Sequence, residues 1–188
     1  MELYHASPTA GLTVLRPSVT EYFGKPEQVC LTSLKPMALL YGIKHFEYTY
    51  GYTKNKEIYY QEYFPNALEE LYQGKRASLY RCAWRKGMEV TQIPNEYVSA
   101  EEVAVEEETP IPDVCEALLE QERLGTLKII RWAEVPEKTR DWIRRCQMEE
   151  ILGAGLLELA ESPRARYMQE KYPESWAMAL TEETGEKK

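Results

Sequence analysis

Histidine is nearly absent from this chain: His5 and His45 are the only two in 188 residues. A Ser-His-Asp or Cys-His nucleophilic system has no other base to draw on, and neither histidine lies in a nucleophile-elbow context. The four cysteines, Cys30, Cys82, Cys115 and Cys146, are widely spaced and form neither a CxxC pair nor a Cys/His cluster. That spacing argues against a zinc site or a disulfide framework and fits the reduced thiols of a cytoplasmic protein; no metal is expected. Ten glycines never fall into GxGxxG or GxxxxGK[ST], so neither common phosphate-cradling loop is present. No apolar run approaches the roughly 18 residues of a spanning helix, and no basic segment followed by an apolar one opens the chain. A soluble, unexported protein with no membrane partner is the expectation. Acidic residues outnumber basic ones 31 to 23, a net charge of −8, which does not suit a protein that holds polyanions by general electrostatics.

Tyrosine, by contrast, is abundant: 14 copies stand against three phenylalanines, and seven lie between Tyr41 and Tyr63. A ring with a hydroxyl suits a half-wet surface, so this stretch reads either as the lining of a cleft or partner interface or as strands and loops packing rings on the core. The length fits one domain with a sizeable core.

The pattern along the chain is mixed. "ELYHA" reads as an opening strand, broken by the Ser-Pro, Gly and Pro of "SPTAGLTVLRPS". "QVCLTS" reads as a second strand that runs straight into a helix over "LKPMALLYGIKHF", with Pro36 in its first turn. "FPNALEELYQGK" predicts a two-turn helix stopped by Gly74, and "ASLYRCAWR", "MEVTQI" and "EYVSAEEVAVEE" carry strand periodicity. Asp113 is placed to cap a helix over "VCEALLEQERLG" closed by Gly125, and two long helices are predicted over 136–161 and 162–183. "TLKII" fits a strand or a helix start. The tail "EETGEKK" is expected to fray. The acidic run of Glu101, Glu102 and Glu106 to Glu108 reads as a solvated face. Arg76, Arg81, Arg85 and Lys86 offer either a pyrophosphate grip or a wet strand face, and His45 is read as surface.

Three stretches line up in order. "LYHAS" is an opening strand ending in His5, a small residue and Ser7. "GKPEQVCLTSLKPMALLYG" is a strand entering a helix that carries Tyr41. "NEYVSAEEVAV" is a strand that begins with Glu96. Together they resemble the ADP-ribosyltransferases of the poly(ADP-ribose) polymerase and diphtheria-toxin type, whose motifs supply a histidine, a tyrosine and a glutamate in this sequence order. The resemblance covers scattered pieces of roughly the first 105 residues.

The resemblance implies an α+β fold, an ADP-ribosyltransferase-like split antiparallel sheet with helices over residues 1–112, followed by a helical C-terminal portion, 113–188, packed on it. It implies NAD as substrate, no metal, and either transfer of ADP-ribose to an unknown acceptor, protein or nucleic acid, or hydrolysis of NAD. Glu96 is then the catalytic acid, meeting the hydroxyl of the nicotinamide ribose. Tyr41 stacks on the nicotinamide, His5 bonds the adenosine ribose, and Ser7 holds the nicotinamide amide. Where family members often carry a second aromatic, this chain has Cys30 and offers Thr32 and Ser33 instead. Glu101 and Glu102 stay open as alternatives to Glu96. A catalytically inactive relative serving as a binding module is the other reading, since fold does not fix function.

Overall fold

Burial on both sides of one short strand organises the N-terminal half of the protein. In the computed structural model, which describes residues 1–18, 27–45, 47 and 49–185, strand β1 (Glu2–Ser7) buries Leu3 on one face and Tyr4 and Ala6 on the other. The chain continues through β2 (Val14–Leu15), β3 (Val29–Thr32), α1 (Lys35–Tyr41), β4 (Tyr50–Tyr52), β5 (Ile58–Gln61) and α2 (Ala67–Tyr72). Then follow β6 (Ala77–Ala83), β7 (Glu89–Val90), β8 (Glu96–Ser99), β9 (Val103–Ala104), β10 (Glu107–Ile111), α3 (Val114–Arg123) and β11 (Lys128–Ile130). A 3-10 turn at Trp132–Glu134 precedes α4 (Glu137–Gly153), α5 (Pro163–Lys171) and α6 (Pro173–Gly185). The protein is α+β, with antiparallel sheets and six helices among the described residues. Gly24, Lys25 and Pro26 of the second sequence motif, Tyr48 of the tyrosine-rich stretch, and residues 186–188 of the expected frayed tail lie outside the described residues.

Two units make up the chain: Met1–Tyr60 with Leu68–Lys128, and Gln61–Ala67 with Ile129–Lys188. The first is built on a six-stranded sheet of order β10-β6-β1-β3-β8-β7. β1 and β6 are zipped from Glu2↔Ala83 to Ser7↔Ser78, whereas β1 and β3 share only the pair Tyr4↔Thr32. The pairing along the β1–β3 seam is thus much shorter than that between β1 and β6. One face carries Leu3, Leu31, Val29, Tyr80 and Cys82 under Leu15 and Val103 of the β2–β9 ribbon. On the other, Tyr4, Ala6 and Leu79 pack against Ala38 of α1. Each fully buried aliphatic side chain of this kind contributes about 1.5–3 kcal/mol.

Local chemistry accounts for most element ends. Pro36 sits in the first turn of α1, where its missing N–H is harmless, and Gly42 ends the helix against β1. A Cβ at Gly42 would lie 3.0 Å from the Cβ of Ala6, so glycine lets the helix end settle directly on the strand. Asp113 caps α3 by accepting the Glu116 N–H at 3.2 Å, and Gly125 closes it with φ +71°. α3 groups with the sheet unit.

The second unit buries Ile143, Gln147 and Ile151 of α4, Ala165 and Met168 of α5, and Ser175 and Ala179 of α6. The long helices expected here are shorter. α4 stops at Gly153, and Pro173 divides the second into α5 and α6, because a proline has no N–H to donate and its ring forces the preceding Tyr172 out of helical geometry, at φ −128° and ψ 54°. The inserted segment supplies buried Phe64, whose ring meets Tyr172 at 5.9 Å and Tyr167 at 6.4 Å, and buried Glu62, which takes the Trp132 N–H at 2.7 Å.

Candidate functional site

The three strands that carry the sequence motifs are consecutive neighbours, β1-β3-β8. Tyr4↔Thr32 and Thr32↔Glu96 are register partners, so Tyr4, Thr32 and Glu96 form one row across them. Glu96 begins β8 immediately after Asn95, whose φ of +65° turns the chain sharply into the strand. Ser33 is tied to this turn twice, by its N–H to the Asn95 carbonyl at 3.0 Å and by its hydroxyl to Asn95 Oδ1 at 3.2 Å. Thr32 is buried; its hydroxyl donates to Met37 Sδ at 3.2 Å and accepts the Leu34 N–H at 3.1 Å, which joins β3 to α1.

Beside Glu96 stands a cluster of tyrosines. Tyr41, at the end of α1 and 41 % exposed, donates its hydroxyl to that of Tyr50 at 3.0 Å, and their rings meet edge to face at 5.6 Å. Tyr52 meets Tyr50 edge to face at 6.3 Å and donates to the Pro94 carbonyl at 2.7 Å, reaching the turn before Glu96. Burial pushes the Tyr50 and Tyr52 phenols above their ordinary value, and the negative charge of Glu96 pushes both further the same way. Glu96 Oε2 itself accepts the Thr91 hydroxyl at 2.6 Å. Tyr50 and Tyr52 belong to the tyrosine-rich stretch that the sequence offers as a cleft or interface lining, and the alternation of "YGY", with Gly51 between, puts both on one face. Gly51 leaves room for its cross-strand partner, since a Cβ there would fall 2.5 Å from the Tyr59 hydroxyl.

His5 and Ser7 lie on β1, next to this cluster but bonded elsewhere. Alternation along β1 sets His5 on the face opposite the Tyr4–Thr32–Glu96 row. The His5 ring reaches across to β3, with Nδ1 2.9 Å from the Cys30 carbonyl. A carbonyl can only accept, so Nδ1 carries the proton and Nε2 keeps a free lone pair. Burial holds the His5 pKa below its ordinary value despite that carbonyl, which keeps the ring neutral. Ser7 Oγ accepts the Thr9 N–H at 3.2 Å. The structure thus joins Tyr41, Ser33 and Glu96 around Tyr50, Tyr52 and Asn95, and leaves His5 and Ser7 on the adjoining strand.

The competing carboxylates are elsewhere. Glu101 and Glu102 follow the far end of β8, whose length is about 10 Å; Glu102 pairs with Arg16 at 3.1 Å. The rest of the acidic run ties structure together and is not merely a solvated face. Arg81 pairs with Glu107 at 2.9 Å and Glu106 at 2.7 Å. Glu108 accepts the Ser78 hydroxyl at 2.6 Å and the Gly11 N–H at 3.1 Å, holding the loop after Ser7. His45 is half-buried rather than surface. Its Nδ1 accepts the Glu47 N–H at 3.1 Å, and its Nε2 lies 2.7 Å from the hydroxyl of Tyr72, which donates to the Leu40 carbonyl just before Tyr41.

Among the described residues, no helix is long and apolar enough to cross a membrane. Comparisons with protein-family models, with curated proteins and with solved structures find no match to this chain.

Proposed function

We propose that the sheet unit is an ADP-ribosyltransferase-like domain that binds NAD in the cytoplasm and transfers its ADP-ribose to an acceptor, protein or nucleic acid, or hydrolyses it. One observation carries this reading: Tyr41 and Glu96, 55 positions apart in sequence, are linked through Tyr50 and Tyr52, since Tyr41 bonds and stacks edge to face with Tyr50, Tyr50 stacks edge to face with Tyr52, and Tyr52 bonds the Pro94 carbonyl in the turn before Glu96. The adjacency of the three motif strands supports it. Cleavage of the bond between ribose and nicotinamide passes through an oxocarbenium-like sugar, as in glycoside chemistry, and needs a carboxylate near that sugar more than it needs a metal. In this scheme nicotinamide leaves with the bonding pair, and the acceptor oxygen or water adds to the ribose carbon and gives up a proton. Glu96 accepts a hydrogen bond from the ribose hydroxyl and orients the attacking group. The Tyr41 ring lies against the cationic nicotinamide, with Tyr50 beside it as the second aromatic that Cys30 does not provide. Neutral His5, with Nε2 as an acceptor, suits a ribose hydroxyl and not a general base. Isothermal titration with NAD or a non-hydrolysable analogue tests the reading. Saturable binding is expected, and none at millimolar ligand overturns it.

A second reading, a binding module of the same fold without turnover, is favoured by the opposite-face placement of His5 relative to Glu96. The Glu96→Gln comparison argued below separates the two.

A further inference from the structure

We infer that Thr91 is the positioning residue of Glu96, an inference that rests on Glu96 being the acid of the proposed reaction. Thr91 follows the edge strand β7, and residues 91–96 turn back into β8 through two backbone bonds, Thr91 N–H to the Glu96 carbonyl at 3.1 Å and Glu96 N–H to the Ile93 carbonyl at 3.2 Å. The Thr91 hydroxyl sits inside this turn. It accepts the Ile93 N–H at 3.0 Å and has one proton to give. The candidate acceptors are Glu96 Oε2 at 2.6 Å and the Ile93 carbonyl at 3.4 Å, so the proton goes to the nearer and charged one. Oε2 is thereby fixed while Oε1 has no partner among the described residues, which leaves one oxygen oriented for a ribose hydroxyl. A free glutamate at a strand start samples several rotamers, and holding it in one removes that disorder before substrate arrives. The hydroxyl also belongs to a turn that its backbone bonds close without it, so its loss need not unfold the segment.

The experiment compares Thr91→Val and Thr91→Ser with the unaltered chain, reading NAD affinity by titration, turnover by nicotinamide release, and the melting temperature. Thr91→Val should lower kcat about tenfold to hundredfold with the NAD dissociation constant within about twofold, and Thr91→Ser should restore kcat. A kcat unchanged in the valine variant overturns the inference while leaving the proposed function standing. So does an equal loss in valine and serine variants, or a loss confined to NAD affinity or melting temperature. An unaltered chain that neither binds nor consumes NAD overturns the function and this inference together.

Discussion

The Tyr41 hydroxyl donates to the Tyr50 hydroxyl across 3.0 Å while the two rings meet edge to face, so the end of α1 and the β4 strand present one aromatic corner. Half of that corner is a ring edge and half a ring face, an arrangement suited to a flat cationic ligand sliding against Tyr41 with Tyr50 as its wall. Ring contact matters here more than the hydroxyl. Tyr50→Ala should weaken NAD binding about fivefold to tenfold, and Tyr50→Phe should leave it within about twofold, because an aromatic contact contributes about 0.5–1.5 kcal/mol. Titration calorimetry on both variants decides it, and equal weakening by alanine and phenylalanine would show that the hydroxyl bond, not the ring, is what counts.

Glu96→Gln keeps the size and hydrogen-bonding reach of the side chain and removes its charge. A transferase should retain NAD affinity within a few fold and lose turnover by about a hundredfold or more, since general acid–base and charge effects of one carboxylate reach that size. A binding module should show unchanged affinity and no turnover to lose. Independently of NAD, the substitution removes the negative charge that raises the Tyr50 and Tyr52 phenols, so both should ionise at lower pH. An ultraviolet difference titration with no such shift would place Glu96 away from the cluster.

What the sequence revealed and what it concealed divide by distance along the chain. Strand β1, the passage from β3 into α1 at Pro36, strand β6 and the Asp113 cap of α3 are written in neighbouring residues, and they formed as the pattern implied. "EYVSAEEVAVEE" reads as a continuous strand, yet it bends into β8, β9 and the start of β10, because partner strands β3, β2 and β6 each claim only part of it. Glu108 looks solvated until Ser78, Tyr80 and Gly11 arrive from remote positions. Likewise, Tyr41 and Glu96 stand out by order along the chain and Tyr50 and Tyr52 as part of a tyrosine-rich stretch, but which tyrosines neighbour Glu96, and that Thr91 bonds it, follow only from the β4–β5 hairpin and the turn before β8. Local rules find elements. Long-range pairing decides which polar side chains are shared between them.

His45 shows this with a measurable consequence. Burial pushes its pKa down to about 4, against an ordinary value of 6.5, with the Leu40 carbonyl acting in the opposite direction. The unfolded chain therefore takes up a proton below the ordinary value while the folded ring, accepting the Glu47 N–H, refuses it. Stability attached to this ring is complete at neutrality and falls as pH drops from 6.5 toward about 4, reaching a loss of about 3 kcal/mol. His5, lowered in the same direction, adds to the slope. Denaturant unfolding at neutral pH and near pH 4 should show the loss, and His45→Gln should remove the His45 share and leave a shallower slope. A slope identical in the two proteins would mean that His45 is solvated in the fold.

Phe64 offers a test of how the helical unit is completed. The seven-residue segment Gln61–Ala67 departs from the sheet unit between β5 and α2 and places a 4 % exposed ring among Tyr172 at 5.9 Å, Tyr167 at 6.4 Å and the Lys171 ammonium at 5.5 Å. Its neighbour Glu62 takes the Trp132 N–H and lies 3.5 Å from Arg131 Nη1, so the same segment anchors the turn that leads to α4. Helices α4 to α6 alone lack that ring and that carboxylate. Removing the Phe64 ring leaves a cavity bounded by rigid aromatics that cannot collapse into it, and Phe64→Ala should cost about 3–5 kcal/mol. A fragment of residues 129–188 should show little cooperative thermal unfolding by circular dichroism, whereas adding the 61–67 peptide in excess should raise its helicity. A fragment that melts cooperatively without the peptide would show that α4 to α6 hold their core unaided, with the inserted segment only resting against it.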